Sequence, residues 1–357
     1  MNFNSKKTDS DNWHKILRDS IVTPDQLKEK FQIDTKNIKK VTKHYPMYIN
    51  SYYMSLIKSI DDPIWKQAVP DIKEIDDNTP FEDDPLHEEK HSPVLNLVHR
   101  YPDRVLFLVS NKCAMYCRHC MRKRRVGKIC SDKITYNAIK EGIKYISRQK
   151  TIRDVILSGG DPLLLEDDIL KAILNYIREI PHVEIIRIHT RIPCTLPQRI
   201  TTNLASILKT FHPLFINIHF NHPDEITCEA KKACAILSDA GIPLGSQTVL
   251  LKGVNDSSKV IKKLMQKFLQ IRVKPYYLHH ADIVKGTCHF RTSIKKGLQI
   301  IKSFRGHTSG LCVPHYMIDL PKGGGKIPLL PEYIKFKDND FIMVESFNGK
   351  IYKYPYK

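Results

Sequence analysis

No stretch of this chain approaches the roughly 20 consecutive apolar residues that a membrane-spanning helix needs, and the opening MNFNSKKTDSDNW has no apolar core of the signal-peptide kind. A cytoplasmic protein without a membrane partner is expected. Glycine and proline are scarce, at 15 and 21 of 357 residues, which excludes a collagen-like chain. Internal repeats and extended low-complexity segments are missing too, and a hydrophobic share of 41% excludes a wholly disordered chain. Acidic residues are outnumbered by basic ones, 38 to 57, for a formal charge of +19. That balance would attract a nucleic acid or another anion, yet lysine-rich helical faces such as SSKVIKKLMQKFLQ (257–270) read equally as solvated surface. Six of the nine cysteines (Cys130, Cys194, Cys228, Cys234, Cys288, Cys312) are scattered without a framework pattern, so free thiols are expected in place of a disulfide scaffold.

Residues 1 to about 90 are polar, with helix-like stretches at 12–31 and 47–59 and an acidic, proline-bearing segment, DDNTPFEDDPLHEE (76–89). They read as an N-terminal helical extension. From Arg104 a different pattern begins, in which short apolar runs alternate with amphipathic helical stretches. Strands are predicted at 104–110, 154–159, 183–190, 214–220, 243–251 and 274–280, and helices near 132–149, 165–178, 199–210, 224–239, 257–270 and 292–304. Near-continuous apolar strands alternating with helices imply a parallel sheet covered on its outer side. Polar residues gather just past the apolar runs, at Asn111, Ser158–Asp161, His189–Arg191, His219–His222 and His279–Asp282, where barrel enzymes place their chemistry. The expected fold is α/β, a partial (β/α)6 TIM-like barrel over 91–305. Residues 306–357 read as a C-terminal cap, in which Asn348-Gly349 predicts a hairpin.

The remaining three cysteines, Cys113, Cys117 and Cys120, fall in NKCAMYCRHCMRKRR directly after the first strand. Three thiolates can hold a four-iron four-sulfur (4Fe-4S) cluster by three irons and leave the fourth open to an exogenous ligand. A zinc site completed by Cys130 or a histidine is the other metal reading, although C-x3-C-x2-C differs from paired C-x2-C knuckles. The run MRKRR (121–125) reads as an RNA-contacting patch or as a charged loop. Taken alone, SGGDP (158–162) is a turn after a strand, and PKGGGK (321–326) is a flexible glycine turn ending in Lys326. The latter is no Walker loop, since Leu320 and Ile327 stand where that loop needs Gly and Ser or Thr.

The cysteine spacing after the first strand, with a glycine-rich segment after the second, resembles the radical S-adenosylmethionine (SAM) superfamily. Over roughly residues 90–335 the resemblance narrows to the lysine 2,3-aminomutase family, carried in order by HRYPDRVL, CAMYCRHCMRKRR, LSGGDPLL, HTRIPCTLPQRIT, LGSQTVLLKGVND, PYYLHHAD, HFRTS, RGHTSG and DLPKGGGK. The resemblance implies an isomerase that uses a SAM-derived 5′-deoxyadenosyl radical with pyridoxal 5′-phosphate (PLP) to move an amino group between adjacent carbons. L-lysine is the implied substrate, and an external one-electron reductant the implied partner. In the site it implies, Cys113, Cys117 and Cys120 hold the cluster, while Ser158, Gly159, Gly160, Asp161, His219 and Gln247 contact SAM. Lys326 binds PLP as a Schiff base in the C-terminal segment, and Arg100 and Arg104 correspond to positions near the PLP phosphate. Arg104 is the stronger of the two, because Arg100 has Asp103 as an alternative partner. Arg122 would take the substrate carboxylate, and Asp282 and Asp319 its ε-ammonium. Such an arrangement selects a long amino acid with opposite charges at its two ends.

The chain departs from the free-lysine enzymes of that family, which bind zinc between subunits. Ser257 follows GVND, and no cysteine lies beyond Cys312; no zinc is expected, and an oligomer would not be stapled by it. The chain's length and its WHKILRDSIVTPDQLKEKF resemble the subgroup that makes (R)-β-lysine for elongation factor P modification, whereas Asp319 and GGGK resemble the free-lysine enzymes. The rivals are an aminomutase for another amino acid such as glutamate, a radical SAM enzyme acting on RNA, and a non-enzymatic zinc-bound nucleic-acid module.

Overall fold

The computed structural model describes residues 10–76, 79–127 and 134–357. Strand β1 (Leu97–Tyr101) turns back antiparallel onto β2 (Arg104–Ser110). From β2 the sheet runs parallel through β3 (Asp154–Gly159), β4 (Ile185–Thr190), β5 (Leu214–Ile218), β6 (Leu244–Leu250), β7 (Val273–His280) and β8 (His315–Leu320). Strand β9 (Gly325–Pro328) ends it antiparallel to β8. The spatial order is that of the chain, the simplest way for successive βα units to curl a sheet into a barrel. The barrel is nearly closed. Its seam lies between β1 and β9, where Tyr101 Oη accepts a hydrogen bond from the Lys326 backbone N–H at 2.9 Å.

Strand alternation divides the side chains between two environments. In β4, Ile186, Ile188 and Thr190 are buried, whereas Arg187 and His189 between them are half-buried. His189 lies in register beside Asn217 of β5, and their side chains are 3.1 Å apart. One parity thus lines a polar lumen and the other meets the helices. Those helices include Tyr136–Arg148, Thr202–Leu208, Cys228–Asp239, Ser258–Gln270 and Ile294–Lys302, which open on hydroxyl caps at Thr135, Thr201, Thr227, Ser257 and Ser293. Asp167–Arg178 buries Leu170, Ile173, Leu174 and Ile177 on one stripe, the helical period that turns a single face to the sheet.

Three expectations change. A seventh parallel strand, β8, follows the six predicted ones, in a region read as cap. Its HYMIDL is short and bracketed by Pro314 and Pro321, so the strand forms on backbone pairing with β7 that its own pattern does not announce. Beyond it, β10 (Ile334–Lys337), β11 (Phe341–Glu345) and β12 (Ile351–Pro355) make a separate antiparallel sheet, with β11 and β12 joined through Asn348-Gly349. The helix expected over 12–31 is two, Ser10–Arg18 and Pro24–Phe31, because Thr23 and Gln26 form a capping box and Pro24 starts a new helix. The one expected over 47–59 shrinks to Ser51–Ser55, capped by Asn50. Asn50 also donates to the Ala114 and Thr195 carbonyls, both at 2.8 Å, and Trp13, Met54 and Trp65 share one apolar core with Ile188 and Leu204. No helix among the described residues is long and apolar enough to cross a membrane.

Candidate active site

Strand β2 hands the chain to the loop bearing Cys113, Cys117 and Cys120, all free thiols. The end of β3 packs backbone to backbone on that loop. Gly160 N–H donates to the Ser110 carbonyl at 2.5 Å and Asp161 N–H to that of Lys112 at 2.7 Å. A Cβ at Gly160 would sit 2.3 Å from the Lys112 oxygen, and one at Gly159, where φ is +129°, 2.1 Å from the Ser110 oxygen. Only glycine permits this approach. Ser158 beside them is buried, and a small cavity is lined by Ser110, Asn111, Gly159, Gly160 and Arg122. The Asp161 carboxylate is spent inside the protein, accepting from Thr190 Oγ1 and Arg191 N–H at 2.7 Å and from Leu163 N–H at 3.1 Å. Burial lifts it to about 6 against those hydrogen bonds. This carboxylate fastens β3 to β4.

The thiols fit a polynuclear cluster. Burial pushes Cys113 well up and Cys120 to about 11, with the neighbouring cysteines adding to both, so a metal must displace the protons on binding. A four-iron cluster takes one thiolate per iron, so three separate sulfurs on one loop suit it. Two donors already aim at these sulfurs, Arg191 Nη1 at Cys117 (2.7 Å) and Arg122 N–H at Cys120 (3.3 Å). Cys130 lies outside the described residues.

Further into the lumen, His219, just past β5, hydrogen-bonds Gln247 of β6. Burial first, then the nearby His279 and Arg191, push this imidazole down to about 3, so it is neutral near pH 7. On β8, Asp319 is the register partner of Lys326 on β9, and its Oδ2 lies 2.5 Å from Lys326 Nζ and 3.6 Å from His279 Nδ1. Against burial, the bond from His279 and the Lys326 ammonium hold the Asp319 carboxyl well below the usual range. Asp282 moves the opposite way, up to about 7, through burial and then the Asp319 charge. The chain thus sets a charged carboxylate beside one poised to gain or lose its proton.

Arg122 is clamped by Glu88, with contacts of 3.1 and 3.0 Å to Nε and 2.7 Å to Nη2, and it senses the Asp282 charge. Its neighbours in MRKRR are paired as well. Arg124 reaches Asp84 at 3.0 Å and Glu89 at 3.2 Å, and Arg125 reaches Glu89 at 3.6 Å. Lys123 and Arg118 each approach the fully buried Glu74 at 2.5 Å. The basic run is therefore neither a solvated loop nor a face offered to RNA, since its charges are met by acids of the N-terminal extension.

The same acidic segment covers the glycine turn, where Lys322 N–H donates to the Pro85 carbonyl at 2.8 Å. It also reaches Arg100, whose Nη2 donates to the Leu86 carbonyl at 3.0 Å, while the buried Arg100 Nε has no partner among the described residues. Arg104, not Arg100, pairs with Asp103, at 2.8 Å, and it stacks 4.1 Å above the Tyr101 ring. Arg104 opens β2, so it stands at the opposite end of that strand from the cysteines, within electrostatic reach of Tyr277 on β7. An orphaned guanidinium N–H, a second guanidinium on the lumen and a lysine amine beside Asp319 fit a flat, anionic aldehyde cofactor such as PLP. Arg191, His279 and Tyr101 sit inside motifs legible in the sequence, HTRIP, PYYLHHAD and HRYPDR. Glu88 has no such signal, lying 34 residues before its partner in an unremarkable acidic run.

Residues 107–265 match the family model described as the radical SAM superfamily, and residues 301–357 the one described as lysine-2,3-aminomutase. The chain is 49% identical to an L-lysine 2,3-aminomutase of Methanococcus maripaludis, over 98% of this chain and 83% of that relative. It is 46% identical to an L-lysine 2,3-aminomutase of Clostridium subterminale, over 97% and 84%. A glutamate 2,3-aminomutase of Clostridioides difficile is 45% identical, over 98% and 84%.

Proposed function

Because this chain belongs to the lysine 2,3-aminomutase family of radical SAM enzymes, we propose that it isomerises L-lysine to β-lysine by moving the amino group from C2 to C3. The observation that carries the choice of substrate is the contact between Asp319 and Lys326. A carboxylate on the lumen already holds a primary ammonium at 2.5 Å, a second carboxylate, Asp282, feels the charge of the first, and the charge of Asp282 reaches the Arg122 guanidinium beside the cysteine loop. A molecule with a carboxylate at one end and an ammonium at the other satisfies both poles. Glutamate would instead set its side-chain carboxylate against two acids.

Cys113, Cys117 and Cys120 would hold the 4Fe-4S cluster, with SAM along Ser158–Gly160, His219 and Gln247, while Asp161 shapes that turn through its bonds to β4. Lys326, Arg100 and Arg104 would hold PLP. When bound, these groups supply a carbon-centred radical that takes hydrogen and an aldehyde whose π-system spreads unpaired spin. The chain's own residues orient and enclose. Arg122 grips the carboxylate of lysine, Asp282 and Asp319 its ε-ammonium, and Asp319 is free for that task only when Lys326 Nζ is engaged elsewhere. Tyr101 pins β9 at the seam, and the segment around Glu88 holds Arg122 and the glycine turn in place. Lys123, Arg124 and Arg125 of the basic loop are paired with acids of the N-terminal extension, which does not favour an RNA substrate.

The test is anaerobic reconstitution with iron, sulfide and PLP, addition of SAM and a reductant, and chiral chromatography of the products from L-lysine. β-Lysine that disappears without SAM and in Lys326→Ala is expected. Its absence from a preparation with intact cluster and PLP overturns the choice of substrate. An (R) configuration of the product would favour a supply for elongation factor P, the destination that the resemblance to the shorter subgroup implies.

A further inference from the structure

Arg191, the residue that follows β4, is buried, and its guanidinium connects four parts of the fold. Nη1 donates to Cys117 Sγ at 2.7 Å. Nη2 donates to Gln67 Oε1 and Glu225 Oε1, both at 2.7 Å, and lies 3.3 Å from Tyr53 Oη. Glu225, fully buried, is saturated in turn by Tyr53 Oη at 2.7 Å, Gln67 Nε2 at 3.0 Å and the N–H groups of Asn221 and His222 at 2.6 and 3.0 Å. The N-terminal extension, through Tyr53 and Gln67, and the loop after β5, through Glu225, together fix one positive charge against one cysteine sulfur.

A buried ion pair of this kind contributes little net stability, because desolvation offsets most of the attraction. Its chemistry lies elsewhere. One-electron reduction of an iron–sulfur cluster adds a negative charge, and hydrogen bonds to the sulfurs, together with local charge, set the reduction potential. A guanidinium on a ligating sulfur therefore stabilises the reduced form, and Glu225 behind it tempers that effect. We propose that Arg191 raises the reduction potential of the cluster carried by Cys113, Cys117 and Cys120, with Glu225, Tyr53 and Gln67 as the frame that holds it on Cys117. The proposal rests on the reading that these cysteines hold a four-iron cluster. The electron comes from an external low-potential donor, and Arg191 transfers neither proton nor atom.

The experiment is a mediated redox titration, with dithionite as reductant, of the anaerobically reconstituted full chain followed by electron paramagnetic resonance. Iron, sulfide and SAM affinity are measured on the same samples. Arg191→Gln, which removes the charge and the fork, is expected to shift the midpoint to more negative potential. A wild-type midpoint in Arg191→Gln at wild-type iron content overturns the proposal, and a loss of SAM affinity at that unchanged midpoint assigns Arg191 to the ligand instead. Where Arg191→Gln takes up less iron, Glu225→Gln decides, since it removes the tempering charge with little change of shape. A more positive midpoint is then expected while Arg191 stays on Cys117 and a more negative one where loss of the frame releases it, and an unchanged midpoint overturns the proposal. Failure of the wild-type chain to hold four irons and four sulfides sinks the cluster reading itself, a result distinct from any change between variants.

Discussion

Asparagine at Asp319 removes a charge while keeping the shape of the group that meets the ammonium end of the lumen. The Asp319 side chain is 6% exposed, its Oδ2 lies 2.5 Å from Lys326 Nζ, and the His279 ring stands 3.6 Å away. Two unit charges about 3 Å apart attract by roughly 5 kcal/mol at an effective dielectric of about 20. Removing one partner of a buried pair costs about 3–5 kcal/mol, because the other charge stays buried without compensation. Asp282 remains to share the substrate's ε-ammonium, so the lower end applies. About 3 kcal/mol corresponds to a loss on the order of 100-fold in kcat/KM for L-lysine. Initial rates from L-lysine, with PLP and iron quantified on the same samples, measure it. Norleucine, which lacks the ε-amine, serves as the comparison, and the preference for lysine over it should shrink by a similar factor. Asp319→Asn with wild-type cofactor content and a kcat/KM within threefold of the parent would refute the assignment of this carboxylate to the ammonium.

Asp282, lifted to about 7 by burial and the Asp319 charge, is protonated below that pH and charged above it. The kcat/KM for L-lysine should therefore rise with pH through about 7, and a pH profile of Asp282→Asn should lose that limb. Alanine at Gly160 would put a Cβ 2.3 Å from the Lys112 carbonyl, and the cysteine loop must retreat by about 1 Å, a displacement that costs on the order of 100-fold in rate. Turnover and cluster content should fall in this variant while PLP absorbance persists. Phenylalanine at Tyr101 leaves the Lys326 N–H without its acceptor, a loss of about 1–3 kcal/mol; calorimetry should show a melting temperature lower by about 1–4 °C.

The barrel was legible where physics is local. The strands at 104–110 and 154–159 match their sequence pattern residue for residue, because each is an apolar run ended by polar or glycine residues. Strand β8 does not, since its stability comes from pairing with β7 across more than thirty residues of intervening chain. Cys113, Cys117, Cys120 and Lys326 stand in tight motifs, which is why the sequence alone points to them. The pairing of Glu88 with Arg122, the contact of Arg191 with Cys117 and the preference of Asp103 for Arg104 over Arg100 depend on which elements the fold brings together, and no spacing encodes that. The partners of the acidic stretch 76–89 are not legible either, because composition reports charge but not its partner.

That stretch gives the amino-terminal ninety residues a purpose apart from packing. A chain cleaved at residue 90 would keep every strand of the barrel, yet Arg118, Arg122, Lys123, Arg124 and Arg125 would crowd eight residues of the cysteine loop without Glu74, Asp84, Glu88 or Glu89. Five like charges left together repel, and a polyanion would be drawn to them. The protein carries its own counter-ion, neutralising in cis what a nucleic acid would otherwise neutralise in trans, and so keeps the mouth of its lumen for a small amino acid.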